Sequence, residues 1–169
     1  SFTRLCNMIK AVGVSCSTST IIEYLNHFTD SCLIFSVQNF ASRFVEKATT
    51  KKFYFVDNGL LNLFLLNNQS ALLENICAIE MKKRYGTRLY YYLHNIEVDF
   101  YVPEENLAIQ VSYKLADENT IKRETDALLK LHKLHPLNKA IIITKDEEKT
   151  ITKNDLNIEF IPVWKWLLQ

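Results

Sequence analysis

The 169-residue chain is 48% apolar and 23% charged, the balance of a globular protein able to bury a substantial core. With 20 Lys+Arg against 19 Asp+Glu the net charge is +1, which taken as a whole argues neither for nor against a nucleic-acid partner. Cys6, Cys16, Cys32 and Cys77 have no CxxC spacing, and no run has the uninterrupted apolar length of a membrane span or the pattern of a signal peptide.

These features give the expectation of a reduced, cytoplasmic protein with no membrane partner. The charge is slightly uneven. Residues 1–52 hold six basic groups (Arg4, Lys10, Arg43, Lys47, Lys51, Lys52) against three acids, leaving 14 basic and 16 acidic groups for the rest. The chain opens on SFTRL rather than Met, which suggests a piece of a longer protein.

In chain order, FTRLCNMIKAV spaces Phe2, Leu5, Met8, Ile9 and Val12 as a helix, and Gly13 ends it. SCSTST supplies candidate N-caps for a second helix, IIEYLNHF, with Ile21, Ile22, Leu25 and Phe28 as its apolar stripe. CLIFSVQNF and KFYFV read as strands joined across a basic turn, KATTKK. Helices followed by such a hairpin have the order of a winged helix-turn-helix, short by one upstream helix, over residues 1–56. In that motif Arg43, Lys47, Lys51 and Lys52 would form a wing that meets the DNA backbone. The would-be recognition helix argues the other way, since it has no Lys or Arg and carries Glu23 and Asp30.

Residues 57–169 read as a second unit. DNGLLNLFLL and SALLENICAIEMKKRYG are helices, the latter closing at Gly86. RLYYYL, EVDFYV and LAIQVSY are strands joined by the short turns HN and PEEN. ADENTIKRETDALLKLHKLH is an amphipathic helix with Leu128, Leu131 and Leu134 inward, followed by strands KAIIIT and IEFIPV and the ending WKWLLQ. The pattern predicts an α/β fold with a mixed sheet flanked by helices.

Centring the PEEN turn pairs residues whose numbers sum to 209, so Asp99 meets Gln110 and Glu97 meets Ser112. Strict alternation then puts Glu97, Asp99, Tyr101, Ala108, Gln110, Ser112 and Lys114 on one face, and Val98, Phe100, Val102, Ile109 and Val111 on a core face. Carboxylates on a face covered by a helix need a cation or donors.

Taken together, KKFYFVDNGLLNLFL, LLENICAIEM, EVDFYV, IQVSYKL, TIKRETDALL and IIIT…IPVWKWLL resemble one prokaryotic family, across nearly the whole chain. It is the C-terminal domain of unknown function that follows the ATPase module of AAA-type ATPases, a domain similar to PD-(D/E)xK endonucleases. The resemblance implies a restriction-endonuclease-like sheet, ATP bound in a missing upstream module, and that module or another protein as partner. It maps the helix glutamate onto Glu74, the hairpin aspartate onto Asp99, and the (D/E)xK triplet onto Gln110-Val111-Ser112. Two of four chemical groups are thus replaced, each worth on the order of 10²–10³-fold in such a site.

The favoured expectation is therefore a module without chemistry or cofactor of its own, binding protein or nucleic acid. The alternatives are a divergent Mg²⁺-dependent nuclease using Glu74, Asp99, Gln110 and a displaced Lys114, with Asp99 and Gln110 as metal ligands, and a winged-helix DNA-binding module. Arg123-Glu124 could send one side chain to the hairpin, and Glu80 could pair with Arg123. The four histidines are scattered without partner ligands, and no Gly-rich phosphate loop or nucleophile motif is present.

Overall fold

The computed structural model describes residues 2–42, 51–65, 68–114 and 118–169. Arg43 and Lys47, expected on the basic turn, lie outside the described residues. Helices α1 (Phe2–Ala11) and α2 (Thr18–Asp30) come first, with Ser17 capping α2 by accepting a bond from the Thr20 amide. Strands β1 (Ile34–Asn39) and β2 (Lys51–Phe55) follow, then α3 (Asn58–Phe64) and α4 (Gln69–Tyr85). The three-strand meander is β3 (Tyr90–Leu93), β4 (Glu97–Val102) and β5 (Leu107–Ser112). After it come α5 (Glu118–Leu134), β6 (Lys139–Thr144), β7 (Lys149–Lys153), β8 (Leu156–Pro162) and α6 (Val163–Leu167).

The strands form one eight-stranded mixed sheet in the order β2-β1-β3-β4-β5-β6-β8-β7. Residue 57, where a second unit is expected to start, falls between β2 and α3, and β1 pairs in parallel with β3. Both faces of the sheet are covered, which explains the near-continuous apolar runs of β6 and β8. One layer packs Cys77, Ala78 and Met81 of α4 and Trp166 of α6 on Val37, Phe100, Val102 and Ile109. The other packs Leu128, Leu129 and Leu131 of α5 on Val98, Tyr101, Ala108 and Ile142.

Three details depart from the expected pattern. Leu134 is 60% exposed, because α5 ends there and Leu129 takes the inward place. Strand β7, KTITK, has no apolar run to announce it; it is a lysine-rich edge strand, a composition that discourages edge-to-edge pairing. The stripe on α1 is not buried as such: Cys6 is its buried residue, while Met8 and Val12 face outward.

The fourth departure shapes the cleft described next. The β4–β5 register is the expected one over Phe100↔Ile109, Tyr101↔Ala108 and Val102↔Leu107. Against β3, however, pairing passes from Tyr92↔Val98 to Tyr90↔Tyr101, three steps on β4 for two on β3. One extra residue is thereby inserted in β4, a bulge at Asp99–Phe100. Val98 consequently joins Tyr101 in the α5 layer instead of Phe100 and Val102 in the α4 layer. The expected common face for Asp99, Tyr101 and Gln110 is corrected accordingly.

Candidate functional site

Asp99 sits in the bulge and turns toward β2 and α4. Its Oδ1 accepts a bond from the Lys52 ammonium at 3.0 Å, and its Oδ2 accepts from the Val111 amide at 3.1 Å. Gln110 fills the gap from the α5 side. Its Oε1 accepts from the Asp99 amide at 2.8 Å, while its Nε2 donates to the Glu97 carbonyl at 3.3 Å and to Glu124 Oε2 at 2.9 Å. Side chains thus replace ladder bonds where the two strands part. The sequence pairing of Asp99 with Gln110 is realised, although the two residues lean toward opposite layers.

Lys52 is the residue that sequence reasoning placed elsewhere. It was expected on a wing against DNA, but its ammonium lies 2.8 Å from Glu97, 3.0 Å from Asp99 and 3.6 Å from Glu74. The signal was present in KKFYF. A period of two puts Lys52 on the same side as Tyr54, which is 7% exposed and packs on Phe100. Register carries Lys52 inward, opposite the buried Val37. Its neighbour Lys51 alternates to the other side of the strand.

Glu74 comes from α4, whose start is set by Asn68 accepting from the Ala71 amide and whose end is set by Gly86 at φ +57°. Asn75 on the same helix ties it to β2, donating to the Phe55 carbonyl and accepting from the Phe55 amide. Tyr54 donates its hydroxyl to Glu74 Oε1 at 2.9 Å. Glu124 on α5 is 7% exposed and is held by Arg123 Nη2 at 2.6 Å. Of the adjacent Arg123-Glu124 pair it is Glu124 that meets the hairpin, whereas Glu80 pairs with Arg84 at 2.7 Å.

Lys52, Glu74, Glu97, Asp99, Gln110 and Glu124 line one cleft of about 700 Å³, with Arg123 and Lys130 also in its wall. Lys114 is not among its lining residues. It lines a neighbouring cleft of about 510 Å³ with Ser112, whose hydroxyl donates to the Lys114 carbonyl. Of the four candidates Glu74, Asp99, Gln110 and Lys114, the fold therefore brings the first three together, with Lys52 beside them. His132 accepts from the Leu137 amide and His135 packs among Phe40, Tyr92 and Tyr101, so both serve the core.

Electrostatics follow from burial and from the crowding of acids. Burial pushes the Asp99 carboxyl above its usual range, against the pull of Lys52, and the nearby Glu74 charge adds to the rise. Burial by itself lowers the Lys52 ammonium, but Asp99, Glu74 and Glu97 together outweigh it and raise it. Lys52 therefore stays charged throughout the neutral range. Burial, then the Glu74 and Asp99 charges, raise the Tyr54 hydroxyl, which remains a donor to Glu74. Burial and the same two acids raise the Cys77 thiol, which stays protonated and unreactive.

Three carboxylates face one ammonium here, leaving excess negative charge beside an open cleft. Among the described residues no three acidic, histidine or cysteine side chains are grouped as a ready metal cage. Such a cage is not what Mg²⁺ needs, because that ion keeps several waters and takes one or two carboxylates plus substrate oxygens. Glu74, Glu97 and Asp99 offer oxygens of the kind such an ion takes, and each already faces the Lys52 ammonium.

Comparisons with known proteins give a partial family match and an uncharacterized relative. Residues 2–71 match the model of a domain of unknown function, DUF8612. The chain is 34% identical over 181 aligned positions to an uncharacterized protein of Methanocaldococcus jannaschii. That alignment covers 99% of this chain and 40% of the relative, so the chain spans less than half the length of the curated protein it matches. No solved structure matches the chain.

Proposed function

We propose that the cleft at Asp99 is a divergent divalent-metal-dependent phosphodiester hydrolase site, of the PD-(D/E)xK type, acting on nucleic acid. The observation that carries this reading is Lys52. The strand β5 lacks the motif lysine, yet a lysine from β2 reaches the motif aspartate at 3.0 Å. That lysine also faces Glu74 at 3.6 Å, so one ammonium stands beside both acids that the motif requires. The mixed sheet, with α4 bearing Glu74 on one face and α5 on the other, supports the endonuclease-like assignment. The α1, α2, β1, β2 order supports a winged-helix origin for the N-terminal part. The setting that accompanies this reading is the C-terminal part of a longer AAA-type ATPase.

Within that mechanism Asp99 and Glu74 would hold the metal, which when bound activates a water and polarises the phosphate. The residues of the chain supply the remainder. Lys52, fixed between three acids and permanently charged, donates hydrogen bonds and neither gives up nor accepts a proton. It orients the attacking water or neutralises charge that builds on the phosphate oxygens. Lys130 in the cleft wall supplies positive charge for flanking phosphates, while Arg123 is paired with Glu124.

A second reading, a binding module without chemistry, is favoured by one observation. Gln110 is fully occupied with Asp99, Glu97 and Glu124, leaving β5 without a free ligand. One assay separates the two. Labelled single- and double-stranded DNA and RNA are incubated with the chain in Mn²⁺ or Mg²⁺, beside Asp99→Ala. Metal-dependent cleavage lost in Asp99→Ala supports the hydrolase. Salt-sensitive binding without cleavage supports the module instead.

A further inference from the structure

Gln110 stands where a metal-dependent nuclease strand would carry an acid, and as an amide it brings no charge. Glu124 brings one from another element. It lies in the wall of the same cleft and is 7% exposed. Burying a carboxylate is costly unless its oxygens are held, and both are. Arg123 donates to Oε1 from Nε at 3.1 Å and from Nη2 at 2.6 Å, and Gln110 Nε2 donates to Oε2 at 2.9 Å.

The chemistry of the bond to Gln110 has a direction. An amide can present either its NH₂ or its oxygen to a neighbour, but only the NH₂ can bond to a carboxylate. Glu124 therefore compels Gln110 to aim Oε1 the other way, at the Asp99 amide 2.8 Å distant. That contact pins the backbone of the bulge from which Asp99 projects. The run Glu124–Gln110–Asp99–Lys52 is a continuous chain of bonds from α5, through the parted strands, to β2.

We infer, resting on the hydrolase reading, that Glu124 is the second acid of this site, displaced from β5 to α5. Its charge is paired with Arg123, and through the Gln110 amide it positions Asp99 for a divalent cation. It acts through Gln110 and is a positioning residue.

Exchange of the two side chains tests this. Mn²⁺ binding to the full chain is measured from the loss of the free-ion electron paramagnetic resonance signal, with melting curves as a check on folding. Four chains are compared: wild type, Glu124→Gln, Gln110→Glu, and the double exchange Gln110→Glu/Glu124→Gln. Loss of a group that orients a metal ligand costs about 10–100-fold in affinity, which is the drop expected for Glu124→Gln. The double exchange returns the acid to β5 and is expected to recover affinity to within about threefold of wild type. Gln110→Glu alone sets two acids against each other and is expected to bind Mn²⁺ at least as tightly as wild type while melting lower without metal.

Unchanged affinity in Glu124→Gln overturns the inference and leaves the hydrolase reading intact. So does a folded double exchange that fails to recover. Should Glu124→Gln not fold, Gln110→Glu decides, and binding weaker than wild type overturns the inference. Absence of Mn²⁺ binding by the wild type overturns the hydrolase reading and this inference together.

Discussion

Asp99 and Lys52 carry opposite consequences for stability. The folded-state pKa of Asp99 is raised, so the native chain binds that proton more tightly than the unfolded chain does. Ionised Asp99 therefore subtracts stability at neutral pH, and the loss is relieved as pH falls toward its folded value. Asp99→Asn is expected to melt no lower than wild type, since Lys52 keeps Glu97 at 2.8 Å and Glu74 at 3.6 Å. Lys52 is the reverse case: its raised pKa contributes stability that is fully present below its ordinary value and is lost only as pH rises through the higher folded one. Metal-dependent cleavage should accordingly owe none of its pH dependence near neutrality to Lys52. It should show no fall assignable to Lys52 between pH 7 and about 10, because that ammonium does not titrate there. A bell with a basic limb near 8 that disappears in Lys52→Met would show instead that Lys52 is the general base.

The elements that hold these residues differ in how openly they declare themselves. Helix α4 closes at Gly86 after a basic last turn, as its sequence indicates, and the structure adds its cap in Asn68. Asn68→Ala should cost about 1 kcal/mol, read as a melting shift of about 2–4 °C in a chain of this size. Mn²⁺ affinity should stay unchanged, because Asn75 still anchors the helix to β2. A large loss of affinity would mean that the first turn itself forms part of the site. The meander was legible for similar reasons: PEEN sets the register, and Asn106 closes the turn at φ +50°. The bulge was not legible, since EVDFYV alternates without a break and the extra residue shows itself only in the pairing with β3. Strand β7 was hidden by its polarity, and Lys52 by the distance in sequence between β2 and the hairpin it serves.

For the whole molecule, the sheet makes β1 and β2 structurally inseparable from the site. The parallel pairing of β1 with β3 covers what would otherwise be an open edge, and Tyr54 of β2 covers Phe100. A chain starting at residue 57 would lose Lys52, expose β3 as an edge and uncover the α4 layer. It should therefore aggregate or melt without cooperativity, as followed by light scattering and circular dichroism. A monomeric, cooperatively melting fragment would show that residues 57–169 fold alone. Residues 2–71, which match the family of unknown function, end just inside α4. They include Lys52 but none of Glu74, Asp99, Gln110 or Glu124, so the family match covers only the lysine of the proposed site.

That lysine provides the most direct measurement. Lys52→Met is compared with wild type for single-turnover cleavage of a labelled DNA in Mn²⁺, with Mn²⁺ affinity determined on the same samples. Removing a charge held near the reacting phosphate should slow cleavage on the order of 10²–10³-fold. Removing a cation that competes for Glu74, Glu97 and Asp99 should leave Mn²⁺ affinity equal or higher. Lys52→Met that cleaves as fast as wild type, or a wild type that cleaves nothing in the presence of metal, would contradict the account.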